Sequence, residues 1–439
     1  MNAMVEPVIA FSDLLERQPT AGPEWLESLR LQARDSFSAR GIPSRKDEAW
    51  RYTSLDPLLA QHFHPASEQA SLEGGLRALL PEHSDNYRLV LLDGRFSAAL
   101  SSLPQPPAQI GSLAAALAQP DGSLRESLGA LSGSGANPFG DLNTALFEDG
   151  ALIRIPAGVR PDRPIELLHV ASSAGESQSY QGRHLIRGER GAELVLLERH
   201  VSLGEGPYFN NLVSEIHLGE GASLVHERLQ EESANAFHLA SLHLHLEADS
   251  RYRGVTAALG AAWSRTEFRL AFAAAGAESE IRGLYLAGDG QLVDHHIEVL
   301  HMVPGCTSQE HFKGILDGRG RAVFDGRVLV EKDAQKTAAH LANANLMLSR
   351  NAEVDTKPQL EIYADDVQCS HGTSVGQLEP EALFYLRSRG IGEAEARKLL
   401  CLGFAGEILE AYSEPTLRER AEWLIRSRLE HGLDTSTEG

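Results

Sequence analysis

The chain has 439 residues, 42% apolar and only 6% aromatic, with 40 glycines and a formal net charge of −21. That charge argues against a nucleic-acid surface or an anionic membrane surface, both of which need clustered Lys and Arg, and favours basic protein partners. Three cysteines at wide spacing (Cys306, Cys369 and Cys401), with no CxxC, exclude a disulfide framework. They are also too few for an all-cysteine iron–sulfur cluster, which takes about four thiolates. Cys306 and Cys401 read as small buried hydrophobes. The chain is longer than one core usually organises, so two or three regions are expected. No apolar run approaches the roughly 18 residues of a membrane span, and the N-terminus has no basic leader, so a cytoplasmic location is expected.

Residues 1–148 read as a mainly helical region. The stretch 23–40 carries Trp25, Leu29, Leu31 and Phe37 at near-helical spacing and stops at Gly41, with Pro43 beyond. Residues 46–53 (KDEAWRYT) read as a charged turn with aromatic anchors. Residues 87–98 read as two short strands around Asp93-Gly94, a hairpin turn signal. A helix is expected at 112–117. The stretch 133–140 (GSGANPFG) resembles a phosphate loop but lacks the Lys-Ser/Thr ending, and Pro138 stands where a helix would start, so it is read as a loop. If ATP drives this protein's work, a partner binds it.

Residues 149–367 change texture. Strand-like segments of four to eight residues recur. Leu242-His243-Leu244-His245-Leu246 alternates, with leucines on one face and histidines on the other. Turn marks at Gly191-Ala192, Gly221-Ala222, Ala248-Asp249 and Gly276-Ala277 fall 30, 27 and 28 residues apart. That soft period predicts stacked coils of a β-solenoid, with a β-sandwich as the alternative. His243 and His245 are then outer-face residues, with no carboxylate or cysteine at ligand spacing. His295-His296 with His301 is a second histidine grouping. Asp365 and Asp366 are strand neighbours that point apart, which weakens any carbohydrate-cleaving reading.

Cys369 and His371 lie two residues apart, on one face of an extended segment. The pair suits a borderline metal or an activated thiolate. Spacing alone favours the plainer alternative, a buried Cys beside a hydrogen-bonded His at a strand end. A closed metal site wants about four ligands, so the others would come from elsewhere in the fold or from another chain. Residues 368–439 read as a helical region, with Pro380 at a first helical position and Gly390 closing that helix. A second helix is expected over 393–411, and a third after Pro415. These helices are expected to cap the solenoid end or to present a groove. Phe384, Tyr385, Arg387 and Arg389 are interface-type residues, or alternatively helix core with solvated arginines.

Five stretches carry a resemblance: KDEAWRYTSL (46–55), HFKGILDGRGRAVFDGRVLVEKDAQKT (311–337), ANLMLS (344–349), PQLEIYADDVQCSHG (358–372) and LFYLRSRGI (383–391). Together they resemble the SufB/SufD family of iron–sulfur cluster assembly proteins. The likeness is to its SufD branch, because residues 349–353 lack the cysteine that SufB-like chains carry there. The resemblance implies a right-handed parallel β-helix core flanked by N-terminal and C-terminal helical regions, and a non-catalytic scaffold subunit. It implies a SufB-like paralogue paired through the β-helix and a SufC-like ATPase bound through the C-terminal helices around Phe384, Tyr385, Arg387, Arg389 and Gly390. His371 would contribute a ligand to a nascent iron–sulfur cluster at the shared interface, with Cys369 as its neighbour. The cluster would be transient and shared, with none held tightly by this chain alone, and reduced flavin is associated with the assembled complex. A homodimer of the isolated chain, and a purely structural role without any ligand, stay open.

Overall fold

A computed structural model describes residues 11–16, 22–66, 85–119, 122–133, 137–173, 175 and 177–435. Parallel strands form two ten-stranded sheets, and the chain alternates between them. One sheet runs from Ala151–Ile155 through Gln178–Gly188, Tyr208–Leu218, Ala236–Leu246, Trp263–Phe272, Leu292–His301 and Arg321–Val330 to Glu353–Ile362. The other runs from Tyr87–Leu92 through Ile165–Ala171, Glu193–Ser202, Ser223–Glu231, Arg251–Ala258, Glu278–Ala287, Thr307–Leu316 and Ala338–Met347 to Gln368–Gly376. Phe237 lies beside Trp263, and Leu152 beside Leu185, so one coil takes 26 to 33 residues. This is a parallel β-solenoid, and the soft period in the sequence is its coil.

The turn marks are its corners. Gly191, Gly221, Asp249 and Gly276 have φ of 66°, 65°, 54° and 80°. That left-handed conformation is available to Gly without strain and is tolerated by Asp. Successive corners stack, with the Gly191 N–H donating to Glu220 O and the Gly221 N–H to Ala248 O, both at 2.8 Å. Inside, alternate residues of each strand form columns that run from coil to coil. Glycines at two inward positions leave room for rings on the neighbouring coil. A Cβ on Gly283 would lie 2.1 Å from the Phe312 ring, and one on Gly314 2.1 Å from Tyr285. Few aromatics therefore suffice to fill the lumen.

Both outer faces are covered by helices. On one sheet, Phe37 of the helix Glu24–Arg40 and Phe139 of the helix Pro138–Leu146, with Phe11 and Phe63 from the neighbouring segments, pack onto Phe209, Phe237 and Trp263. The charged turn at 46–53 anchors here. Trp50 is buried beneath the Arg265 guanidinium, 4.0 Å from the ring, while Arg265 pairs with Asp294 and with Glu267. On the other sheet, Glu393–Leu409 and Pro415–Thr435 lay Leu402, Ala405, Ile408 and Ile425 on Leu229, Val255, Leu284 and Ile315. Glu227 fastens the link between these helices, accepting from the Ser413 N–H at 2.6 Å and the Glu414 N–H at 3.0 Å.

Three expectations need correction. The solenoid does not end at residue 367, because Gln368–Gly376 pairs in parallel with Ala338–Met347 and completes the last coil. The C-terminal helices do not cap the solenoid end. They lie flat on a side face, because the leucines that need burial there face an outer sheet surface that is itself apolar. Pro138 does not forbid a helix. It starts one, with Asn137 accepting from the Phe139 N–H, because the missing proline N–H is an orphan at that position anyway. Residues 134–136 of that stretch lie outside the described residues.

Glu310 sits in the lumen with 1% of its surface exposed, and its Oε1 has no hydrogen-bond partner. Burial raises its carboxyl from 4.5 to about 8. The unfolded acid ionises first, so this group makes stability fall as pH rises from about 4.5 to 8. Glu310→Gln should therefore stabilise the chain at pH 8 by an amount on the order of a few kcal/mol, and by far less near pH 5. Urea unfolding at the two pH values measures this, and an equal gain at both would show that Glu310 is not held as a neutral acid.

Candidate functional site

The two ends of the solenoid differ. At the N-terminal end each sheet finishes in a short antiparallel strand: Gln109–Ser112 against Ala151–Ile155, and Arg95–Phe96 against Tyr87–Leu92. Short antiparallel edges are poor templates for further pairing. At the C-terminal end, both sheets finish in full-length strands, Glu353–Ile362 and Gln368–Gly376, whose outer edges are unpaired among the described residues.

Register places the side chains at this rim. Cys369 stands over Ala339, His371 over Leu341 and Thr373 over Asn343, while Thr356 stands over Phe324 and Leu360 over Val328. Ala339, Leu341, Phe324 and Val328 belong to the lumen core. The rim residues above them would be core if another coil followed. None follows, so His371, Thr373 and Val375 are exposed and Cys369 is half-buried. Thr356 and Thr373 join their hydroxyls at 3.0 Å across the mouth.

The last coil is clamped onto the one below it. Arg327 forks onto Glu361 at 2.8 Å and reaches Glu298 at 2.6 Å. Lys357 reaches Glu48 at 2.8 Å and Asp325 at 3.6 Å, which ties the rim to the 46–53 turn. His340 Nδ1 lies 2.8 Å from Ser370 Oγ, and Lys336 pairs with Asp366. The rim is thus held in shape before anything binds it.

Cys369 and His371 do occupy one face of one strand. Burial pushes the Cys369 thiol up, against a smaller lowering by the Ala339 backbone, so at neutral pH it is a thiol and not an activated thiolate. Among the described residues, the groups of three or more potential metal ligands do not include this pair. Cys306 and Cys401 are fully buried, and burial raises the Cys401 thiol to about 12. His243 and His245 point outward, as expected. However, Glu247 does follow at ligand spacing, and it joins His217 and His245 on the outer face. His295 and His301 lie in the lumen, whereas His296 faces outward towards Asp325, so the three do not converge.

The helix Pro380–Ser388 begins three residues beyond the rim strand and buries none of its side chains. Phe384 is 74% and Tyr385 56% exposed. Arg389 lies on the Tyr385 ring at 5.1 Å, Arg387 pairs with Glu393 at 3.2 Å, and Gly390 closes the helix with φ of 85°. Sequence reasoning missed Thr356, Thr373 and Val375 as rim residues. Their signal is inward parity on strands with no following coil.

A parallel β-solenoid with helix-covered faces, a closed N-terminal end and a bare C-terminal rim is the class of protein that this geometry defines. The model of the SUF system FeS cluster assembly SufBD core domain matches residues 169–404, and that of the SufBD protein N-terminal region matches 12–167. The chain belongs to the SufBD family of iron–sulfur cluster assembly proteins. It is 35% identical, over 92% of its length and 91% of the other's, to a SufBD family protein of Synechocystis. It is 33% identical to the iron–sulfur cluster assembly protein SufD of Escherichia coli, over 89% of this chain and 90% of that one. A chloroplastic protein of Arabidopsis thaliana is 28% identical over 96% of this chain and 90% of its own length. No described helix is long and apolar enough to cross a membrane.

In the native chain, iodoacetamide should alkylate Cys369 well before Cys306 and Cys401, and the rate should rise towards alkaline pH. In urea, all three should react alike. Peptide mass spectrometry over a time course reads the order. Equal native rates would mean that the folded chain opens at Cys306 and Cys401.

Proposed function

We propose that this chain is a non-catalytic scaffold subunit for iron–sulfur cluster assembly, pairing through its bare rim with a SufB-like paralogue. The observation that carries this reading is the last coil: both of its edges are unpaired and its inward side chains are uncovered. A strand edge of that length, with Val375 exposed beside it, gains backbone hydrogen bonds and apolar burial when another chain continues the sheet. Pairing would place His371 and Cys369 between two chains, where the second chain adds the ligands that this one lacks. His371 offers an imidazole to the nascent cluster, and Cys369 must release its proton when it ligates the incoming metal.

The SufC-like ATPase docks, in this reading, on the helix Pro380–Ser388. Phe384 and Tyr385 supply apolar area there, and Arg387, Arg389 and the chain reversal at Gly390 lie beside them. The exposure of those two aromatics supports this. Reduced flavin would enter with the complex. Membership in an iron–sulfur cluster assembly family gives the cargo class.

Co-expression with the SufB-like and SufC-like proteins tests the parts separately. His371→Ala should leave complex stoichiometry intact and cut the iron and sulfide carried. Phe384→Ala should lose the ATPase and keep the paralogue. A normal iron and sulfide load on His371→Ala would make this chain a purely structural partner. A wild-type chain that joins neither protein would overturn the reading.

A further inference from the structure

The described residues hold three groups of side chains able to ligate a metal. Asp13, His62 and His64 lie at the surface or half-buried, as do His217, His245 and Glu247, and water satisfies such groups. The third group, His169, Glu198 and His200, is buried inside the solenoid. It occupies inward positions on Ile165–Ala171 and Glu193–Ser202, where Leu167, Leu194 and Leu196 are lumen core and His169 is in register with His200. An apolar lumen is a costly place for a carboxylate unless it is matched group by group.

One half of Glu198 is matched. Its Oε2 accepts from the Arg228 Nε–H at 2.8 Å, and His226 Nε2 lies 2.8 Å from the same oxygen. The other half is not. His169 Nε2 lies 3.3 Å and His200 Nε2 3.1 Å from Oε1, but neither is aligned as a hydrogen bond, and neither ring nitrogen of His200 has a hydrogen-bond partner. The two rings stack, centroids 4.3 Å apart at 13°.

Two imidazole nitrogens therefore converge on one carboxylate oxygen, at distances close to the roughly 3.4 Å that separates ligands about 2.1 Å from one tetrahedral ion. A cavity of about 10 Å³ adjoins His169, lined also by Tyr180, Asn210 and Glu232.

We propose that His169, Glu198 and His200 bind one divalent first-row transition metal ion, of the zinc or iron(II) class, within the lumen. Two imidazoles and a carboxylate suit either ion. The site is separate from the rim, uses no thiol and does not depend on any partner.

Cobalt(II) and zinc(II) titrations of the chelator-treated full chain test it. One cobalt(II) per chain should bind with visible ligand-field absorption, and zinc(II) should bleach it. Zinc(II) should also raise the melting temperature. His200→Gln and His169→Gln should each weaken binding by at least about tenfold to a hundredfold. His245→Gln should leave it unchanged. X-ray absorption at the zinc edge should show nitrogen and oxygen neighbours only. If the variants fail to fold, the wild-type spectrum still decides, because sulfur in the metal's shell, or no bound metal at all, overturns the proposal. Undiminished binding by folded His200→Gln does so as well.

Discussion

Parallel stacking in register governs this molecule. Each inward side chain stands on the side chain one coil below it, so a residue's fate depends on its column more than on its neighbours in sequence. An apolar column is self-consistent at any length. A polar residue in a column must find its partner on an adjacent coil, and this is why His169, Glu198, His200, Arg228 and His226 occur together. The same rule applies to Tyr285, whose hydroxyl donates to Asn345 at 2.5 Å and accepts from Asn343 at 3.0 Å. A buried network of this kind ties particular coils to one another, so it fixes register more firmly than leucines could.

Stacking also creates a problem at the ends, where the columns and both sheet edges stop. The N-terminal end solves it locally with short antiparallel strands. The C-terminal end does not, although the helices that could have covered it are present in the same chain. They are held on the side face by Glu227 and by the leucines of Glu393–Leu409. The rim is nevertheless rigidly built, with Arg327 and Lys357 fixing Glu353–Ile362 in place. A bare edge on a clamped coil matches what strand addition by another chain needs, because little ordering is left to be done on binding.

Much of this was legible in the sequence, through parity and period. The corners were visible as Gly-Ala marks, because only certain residues accept φ near +65°. The shared face of Cys369 and His371 followed from their spacing of two. The end of the solenoid was not legible. Residues 368–376 carry Cys, His and Thr at inward positions, and without the apolar alternation of the earlier strands they were assigned to the helical region that follows, not to a last coil. The lumen group was hidden for a different reason: His169 and His200 lie a whole coil apart and meet only through the register. The run Leu194-x-Leu196-x-Glu198-x-His200 did carry a signal, because parity alone places Glu198 and His200 where their leucine neighbours are buried. Pro138 misled because proline is read as a breaker more readily than as a first helical residue.

The proximity of the exposed helix to the rim bears on how an ATPase could influence a site it does not touch. Three residues separate Gly376 from Pro380, and the middle one, Leu378, packs on the same apolar seam that holds the C-terminal helices. A partner that shifts Pro380–Ser388 therefore acts on a short, anchored connection. The first strand it meets is Gln368–Gly376, which carries Cys369 and His371 and pairs with the body on one side only. Glu353–Ile362 shares that single-sided pairing, whereas the inner strands of the solenoid are held on both sides and would resist. The chain thus brings together its exposed helix, a single-sided strand and its two candidate ligands within about twenty residues. An external push would be felt there first, and the rest of the solenoid could remain rigid.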